Sequence, residues 1–466
     1  MAGMQDAEDP ICYIRLIMEG RRRDGGEGGS DRIFGLALLI VGAAPAVVFL
    51  DREFCHPFVP PPQGRWGVPR AWEYVNPGRS SLAALLAAVV LALVIARWAH
   101  DWRGVRCPRP SSGVLAAACG LYAAPLVSAL LTGHGGFGDW WLWLPMVLLA
   151  LLRYAPSYGL DGLLPRMRRI LRIYTWGSLL SLVLIREQVT EANGNGLFNM
   201  GWLDGERLGG VAGHPILLGM LAGVALVVEV TPIARARPWP LHAAAAVLVL
   251  GLSQSRTGWV AALLGLLLLY RPGRPPTLLS RGLTCGLLAV LGTGLLLLTP
   301  GATASVTSAL FSDEVATLHG RTVPWETGLR AFRANPLTGW GPRFYHDVGS
   351  PAGGAFSHGH SQVIHTLATA GLLGAAALVC FVAVLLRAAS RARRASCGLA
   401  PALAVMTLVF CVTEVPLRSD GLSPNVLLAF VLITVVTVAR RGTVRVIPPR
   451  SGGPAPVVAP SLVERV

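Results

Sequence analysis

The run Ser81-Leu-Ala-Ala-Leu-Leu-Ala-Ala-Val-Val-Leu-Ala-Leu-Val-Ile-Ala96 contains no charged side chain. A stretch of this kind is typical of a transmembrane helix, since about 20 apolar residues in helical form cross the hydrocarbon core of a bilayer. Similar runs recur along the 466 residues, of which 53% are hydrophobic and only 14% are charged. This composition predicts an all-α polytopic membrane protein and disfavours a soluble domain of the same length.

The apolar runs predict about twelve transmembrane helices separated by polar linkers. The seventh and eighth spans are either a hairpin, turning at Ser253–Arg256, or one long broken helix from Leu241 to Tyr270. The predicted spans are residues 33–50, 81–97, 113–131, 139–152, 173–186, 213–230, 240–253, 257–271, 282–299, 362–387, 399–415 and 424–439.

The basic residues decide the orientation of the chain and the kind of surface that it contacts. All 40 of them are arginines, and the net charge is +15. With both termini in the cytoplasm and a hairpin at Ser253–Arg256, 28 arginines lie inside and 12 outside, as the positive-inside rule requires. The charge is therefore a membrane signature, and we expect no nucleic-acid partner.

These spans divide the chain into five parts. We expect a cytoplasmic tail at 1–32, helices 1–9 at 33–299, a periplasmic subdomain at 300–361, helices 10–12 at 362–439 and a cytoplasmic tail at 440–466. Two further outer segments, Asp51–Ser80 and Glu187–Ala212, are rich in Pro or in Gly and Asn.

Five short motifs between Arg207 and Gly374 set this region apart from the surrounding spans. The motifs are Arg207 with Gly-His214-Pro215, Ser253-Gln-Ser-Arg256-Thr-Gly-Trp259, Gly320-Arg321-Thr with Trp325, Asn335-Pro-Leu-Thr-Gly-Trp-Gly341, and His360-Ser with Gly371-Leu-Leu-Gly374. In this order, they resemble the O-antigen ligase and O-antigen polymerase superfamily, with Ser361 where many relatives have Asn after the motif histidine.

The resemblance implies a glycosyltransferase C-type architecture, with the large outer loop between helices 9 and 10. It also implies transfer of a glycan from undecaprenyl diphosphate at the outer face of the bacterial inner membrane. The alternatives within the family are an O-antigen or exopolysaccharide polymerase and, less favoured, a protein O-oligosaccharyltransferase. A transporter or flippase would show ionisable residues in mid-span and an internal repeat, and the sequence shows neither.

Arginine suits a diphosphate leaving group, because its planar guanidinium is always charged and donates two hydrogen bonds at once. Arg256, in a membrane-embedded turn, and Arg321, in the outer loop, are the candidates for this task. Each has a plainer alternative, since Arg256 fits a snorkelling interfacial arginine and Arg321 fits a surface salt bridge.

His360 is the candidate general base, because an imidazole accepts a proton near neutral pH. The alternative is a histidine that only caps the tenth helix. His358, His360 and His365 also have spacing open to zinc, but we expect no metal, because no carboxylate or cysteine nearby completes a ligand set. We expect no other cofactor.

The remaining candidates are assigned to substrate binding. Arg207 and His214 are expected at the lipid diphosphate; alternatively, Gly209-Gly210 and Pro215 beside them only shape the start of a helix. Ser255 adjoins Arg256, and Ser361 adjoins His360. Glu414, near the outer end of the eleventh span, either orients His360 or forms a structural ion pair.

The sequence therefore predicts an inverting, metal-independent glycosyltransferase of the O-antigen ligase type. Its expected partners are an undecaprenyl-diphosphate-linked glycan, a lipid A-core acceptor and the lipids of the membrane.

Overall fold

The computed structural model describes the greater part of the helical chain. It covers residues 29–55, 81–102, 112–133, 140–153, 159–192, 206–231, 233, 240–269, 321–345, 358–419 and 423–439. The predicted ninth span at 282–299, nearly all of both terminal tails and most of the outer loops at 51–80 and 300–361 lie outside these residues.

Helices make up almost all of these ranges, which confirms the helical class. One short antiparallel ladder, in which Glu191 is the partner of Arg207, was not predicted. The helices are α1 Gly29–Cys55, α2 Ser81–Trp102, α3 Ser112–Thr132, α4 Trp140–Arg153, α5 Leu160–Leu184, α6 Arg186–Val189, α7 Pro215–Val230, α8 Pro240–Ser253, α9 Arg256–Leu268, α10 Thr322–Ala334, α11 Gln362–Arg391, α12 Leu399–Thr413 and α13 Pro424–Ala439; the strands are β1 Thr190–Ala192 and β2 Glu206–Leu208.

Each predicted span that falls within the described ranges coincides with a helix, but the fifth was drawn too short. Helix α5 begins at Leu160, well before the predicted start at residue 173. The sequence places Arg168 and Arg172 in a linker, whereas both arginines lie in the helix and reach Glu229 on α7. A buried charge is tolerated in a helix when a partner on another element neutralises it.

Membrane character is visible in the lengths and compositions of the helices. Gly113–Thr132 and Gln362–Arg391 are long and apolar enough to cross a membrane, and the described ranges contain eight further apolar helical stretches of 10–17 residues. The total of twelve spans remains a prediction.

Helix α13 lies at the centre of the bundle. Every one of its 16 residues is buried. It contacts α1, α3, α4, α5, α7, α11 and α12. A helix that is apolar all round and enclosed on all sides supports the others as a core element.

Helices α8 and α9 form a hairpin that packs on α7. A Cβ added at Gly219 would meet Ser253 and Ser255 at the turn, whereas one at Gly265, late in α9, would meet Val227, late in α7. Helix α9 therefore runs parallel to α7, and α8, which follows α7 after a short linker, runs back toward the turn. The hairpin interpretation of Ser253–Arg256 is confirmed.

Candidate active site

The turn between α8 and α9 is held by the strand β2. Gln254 adopts a left-handed φ of 50°, and its side-chain amide donates to the Glu206 carbonyl at 3.1 Å. Arg207 Nε donates to the Ser253 carbonyl at 3.2 Å. These two bonds fix the start of α9, so that Arg256 and Arg207 lie in the same region.

Ser255 and Thr257 connect this turn to its neighbours. Ser255 is buried and accepts the N–H of Gly258 at 3.2 Å as the N-cap of α9, a structural task that the sequence did not reveal. The Thr257 hydroxyl lies 2.9 Å from that of Thr413, the last residue of α12. The turn is thereby tied to the end of α12, where Glu414 follows.

Glu414 is the centre of the site. Its carboxylate is buried, with 5% of the side chain exposed, and accepts a hydrogen bond of 2.9 Å from Arg321. His358 Nε2 lies 3.8 Å from the other carboxylate oxygen. His360 Nδ1 lies 3.9 Å from the oxygen that Arg321 binds. Glu414 therefore makes both contacts considered for it: an ion pair with an arginine, Arg321, and an approach to His360.

The environment keeps Glu414 ionised. Burial by itself raises the pKa of a carboxyl group, but His360, Arg321 and His214 outweigh it and lower the pKa of Glu414 to about 2. The site therefore presents a carboxylate to both imidazole rings.

The rings of His358 and His360 lie against each other next to that charge, tilted by 59°. The two ring centroids are 4.1 Å apart, and the backbone N–H of His360 donates to His358 Nδ1 at 3.1 Å. Burial, followed by the charges of His360 and Arg418, lowers the pKa of His358 well below its ordinary value. His358 is thus neutral, and because its Nδ1 is an acceptor, its proton is on Nε2, toward Glu414.

The prediction that no carboxylate nearby completes a ligand set with the histidines is wrong. One ligand atom each from His358, His360 and Glu414 lie within 4.8 Å of one another, the dimensions of a metal site. His365 does not belong to this group, because its ring stacks on Tyr345 with centroids 5.1 Å apart. The chemistry of the donors argues against a metal, since His358 presents an N–H and Arg321 already occupies one carboxylate oxygen.

His360 has an unusual backbone, with a φ of 46°. Such a conformation costs a residue with a side chain about 1 kcal/mol or more and persists where the surroundings enforce it. The ring is partly exposed, at 31% of the side chain. His360 is therefore held in a strained conformation beside Glu414 while one side remains open to a ligand.

Arg207 and His214 lie close enough to the charged groups of the site, among them Glu191 and Glu414, for those charges to affect their pKa values. Burial lowers the pKa of Arg207, and Arg321 and Arg256 lower it further, whereas Glu191 and Glu414 oppose the change. His214 caps α7 through Nδ1, which accepts the N–H of Ile216 at 3.2 Å. The structure thus brings the predicted arginines together and places His214 at the start of α7 as its N-cap.

Two residues at this site were not predicted. Gln362, 3% exposed, accepts the N–H of Leu417 at 2.9 Å and so joins the start of α11 to the segment after Glu414. Arg418 is also buried, and its positive charge contributes to the lowered pKa of His358. Gln362 adjoins Ser361, which is buried and precedes α11. The hydrogen-bond partner of Gln362, Leu417, lies 55 positions away in the sequence. No local signal connects the two segments.

Residues 241–379 match a family model described as O-antigen ligase. Over this segment the chain is similar to the O-antigen ligase family. No curated protein matches the chain. The resemblance noted in the sequence is confirmed, and with it the ligase or polymerase type of function in polysaccharide biosynthesis.

The O-antigen ligase segment contains Arg256, Arg321 and His360 but not Glu414 or Arg207. Those two residues reach the site from α12 and β2, outside the matched range. The site is therefore completed by parts of the chain on both sides of the O-antigen ligase segment.

Proposed function

We propose that this chain is an inner-membrane glycosyltransferase that moves a glycan from undecaprenyl diphosphate to a hydroxyl group of lipid A-core, at the periplasmic face and with inversion. The family match supports the reaction class. The observation that carries the proposal is the Glu414 carboxylate with Arg321 at 2.9 Å and His360 at 3.9 Å, next to a partly open imidazole.

His360 acts as the general base in this proposal. Its Nδ1 lies 3.9 Å from the Glu414 carboxylate, which favours the proton on Nδ1 and leaves Nε2 to accept one. The acceptor hydroxyl transfers its proton to Nε2 as its oxygen bonds the anomeric carbon. The bond from that carbon to the diphosphate breaks on the opposite face, and the diphosphate leaves with the electron pair.

The arginines stabilise the departing diphosphate. Arg207 lies near enough to Arg256 and Arg321 for their positive charges to repel its own. Glu191 and Glu414 neutralise only part of this positive charge. A diphosphate anion would relieve the repulsion, and preorganised cations aimed at developing negative charge are a large source of catalysis.

Metal independence is part of the proposal. The guanidinium groups supply positive charge at the diphosphate, and the proton on His358 Nε2, which lies 3.8 Å from Glu414, leaves that nitrogen without a lone pair for a metal. The three-residue cluster then serves to orient His360.

The central experiment separates base from ligand by comparing binding of a labelled undecaprenyl-diphosphate glycan in detergent with product formation. We expect His360→Ala to abolish transfer while donor affinity stays within about 3-fold of wild type, because the imidazole acts on the acceptor. Arg256→Ala loses a charge-assisted contact of about 1.5–3 kcal/mol and weakens donor binding as well as turnover. Arg256→Lys rescues little, because an ammonium lacks the two-pronged geometry.

Two matched variants serve as controls. His242→Ala removes an imidazole that accepts the indole N–H of Trp176 on α5. Arg186→Ala removes an exposed arginine paired with Glu206. Both should keep turnover and binding near wild type. Poor donor binding by His360→Ala together with normal binding by Arg256→Ala would reverse the assigned roles.

The acceptor is tested separately in the same membranes. Product formed with purified lipid A-core supports the ligase proposal. Product formed only with a second lipid-linked repeat identifies a polymerase and overturns it.

A further inference from the structure

Helix α11 is interrupted at Gly371, nine residues after its first turn begins. Gly371 has φ 56° and ψ −149°, a combination open essentially to glycine alone. The interruption removes two backbone bonds of a regular helix, from the N–H groups of Leu372 and Leu373 to the carbonyls of Ala368 and Thr369. In an apolar surrounding, each of these four groups needs another partner.

The segment Asn335–Gly341, which we call the docking turn, supplies all four partners. It offers two carbonyls to the second half of α11 and two N–H groups to the first half. The bonds run from Leu372 N to Pro336 O at 2.8 Å, from Leu373 N to Leu337 O at 3.2 Å, from Trp340 N to Ala368 O at 2.9 Å and from Gly341 N to Thr369 O at 2.8 Å.

Glycines permit this close approach on both sides. A Cβ added to Gly339, whose φ is 67°, would lie 2.6 Å from the backbone nitrogens of Ala370 and Gly371. One added to Gly371 would lie 2.6 Å from the carbonyl of Leu337. A side chain at either position would therefore push the docking turn off the break.

A membrane helix holds the same junction from a third side. Ser128 of α3 is fully buried, and its hydroxyl donates to the carbonyl of Thr369 at 3.0 Å and contacts that of Thr338. The hydroxyl thus binds one carbonyl from the helix break and one from the docking turn.

The elements that leave this junction carry the groups of the active site. The docking turn follows α10 directly and is tied to it by Trp340 Nε1, which donates to the Ala331 carbonyl at 2.9 Å. Arg321 immediately precedes the other end of α10. The first half of α11 extends about 13 Å from the break to the segment that carries His360.

We propose that the docking turn and the break at Gly371 position His360 and Arg321 over the membrane helices, with Gly339, Gly371 and Ser128 as positioning residues. The inference rests on the proposed function for its catalytic readout. The docking itself is independent of any reaction, so the two are tested by different measurements.

The main variant is Gly339→Ala, with Gly133→Ala as its matched control. Gly133 has nearly the same φ, 69°, but nothing within 4 Å of an added Cβ. Both variants therefore share the cost of a left-handed alanine, and only the first meets backbone atoms. Hydrogen exchange of peptides covering residues 336–345 and 366–374 should be at least about 10-fold faster in Gly339→Ala and unchanged in Gly133→Ala.

Turnover is measured on the same samples. We expect kcat of Gly339→Ala to fall about 100-fold, because misplacing a catalytic group by about 1 Å has an effect of that size. The apparent KM for the donor should change less than about 3-fold, since Arg207 and Arg256 lie on other elements. Unchanged exchange overturns the docking, and faster exchange with a kcat equal to that of Gly133→Ala overturns the positioning role.

Ser128→Ala is the milder variant if Gly339→Ala does not fold. Its control is Ser181→Ala, which removes a buried hydroxyl bonded to the carbonyl of Ser178 within its own helix. We expect a 3- to 10-fold lower kcat for Ser128→Ala, about the effect of one lost hydrogen bond, and none for Ser181→Ala. Equal values for the two overturn the proposal. Wild-type kcat in His360→Ala instead overturns the proposed function and leaves the exchange result standing.

Discussion

The substitution Glu414→Gln tests the centre of the site, because it keeps the volume of the side chain and removes its charge. The carboxylate has 5% of its side chain exposed and binds Arg321 at 2.9 Å. Breaking a fully buried ion pair costs about 3–5 kcal/mol. Arg321 keeps 19% of its side chain in contact with solvent, which relieves part of that cost. We therefore expect the free energy of unfolding to fall by about 2–3 kcal/mol.

The effect on turnover should be larger than this loss of stability explains. Without the negative charge, nothing favours the proton on Nδ1 of His360 or stabilises the protonated ring. General-base catalysis contributes about 100- to 10,000-fold, so we expect kcat to fall at least about 100-fold, with donor affinity changing much less.

Glu229→Gln is the matched control. The side chain of Glu229 is also 5% exposed, and it binds Arg172 at 2.6 and 2.9 Å, but it lies on α7 away from the site. Its loss should cost a similar 2–4 kcal/mol of stability and leave kcat within about 3-fold of wild type. Thermal unfolding in detergent and single-turnover kinetics measure the two quantities. A similar loss of kcat in both variants would refute the orienting role of Glu414.

Three further predictions follow from the same contacts. Turnover in purified membranes should survive EDTA, whereas loss that zinc restores would support a metal at His358, His360 and Glu414. The pKa of His358 is lowered in the folded state, so the stability that its neutral ring contributes is complete above about pH 6.5 and falls below that pH by up to about 1.4 kcal/mol per pH unit. The melting temperature should therefore drop more between pH 7.5 and 5.5 in wild type than in His358→Gln. Equal drops in the two proteins would contradict the lowered pKa. Gly219→Ala places a Cβ 2.3 Å from Ser255 Cβ, so it should destabilise the protein by about 1–3 kcal/mol and weaken donor binding. Gly251→Ala, whose added Cβ has nothing within 4 Å, should change neither stability nor binding. Equal stability of the two variants would show that α7 and α9 are not in contact at Gly219.

The sequence alone predicted the helices, because an apolar run long enough to cross a bilayer is a local property of the chain. It also located the hairpin at Ser253–Arg256, since the arginines on either side of each span record orientation. The family resemblance came from short motifs that are contiguous in the chain, and the match at residues 241–379 confirms it. The start of α5 was missed because Arg168 and Arg172 look like linker residues until Glu229 is seen beside them.

The tertiary structure decided what those motifs are for. Arg321 and Glu414 are 93 positions apart, and no periodicity in the sequence connects an outer loop to the end of a distant helix. The motif Asn335–Gly341 reads as an ordinary turn, yet its carbonyl and N–H groups replace those lost from α11 at Gly371. Side-chain patterns record burial along one element, but the partner of a buried charge or of an interrupted backbone is chosen only when the elements pack together.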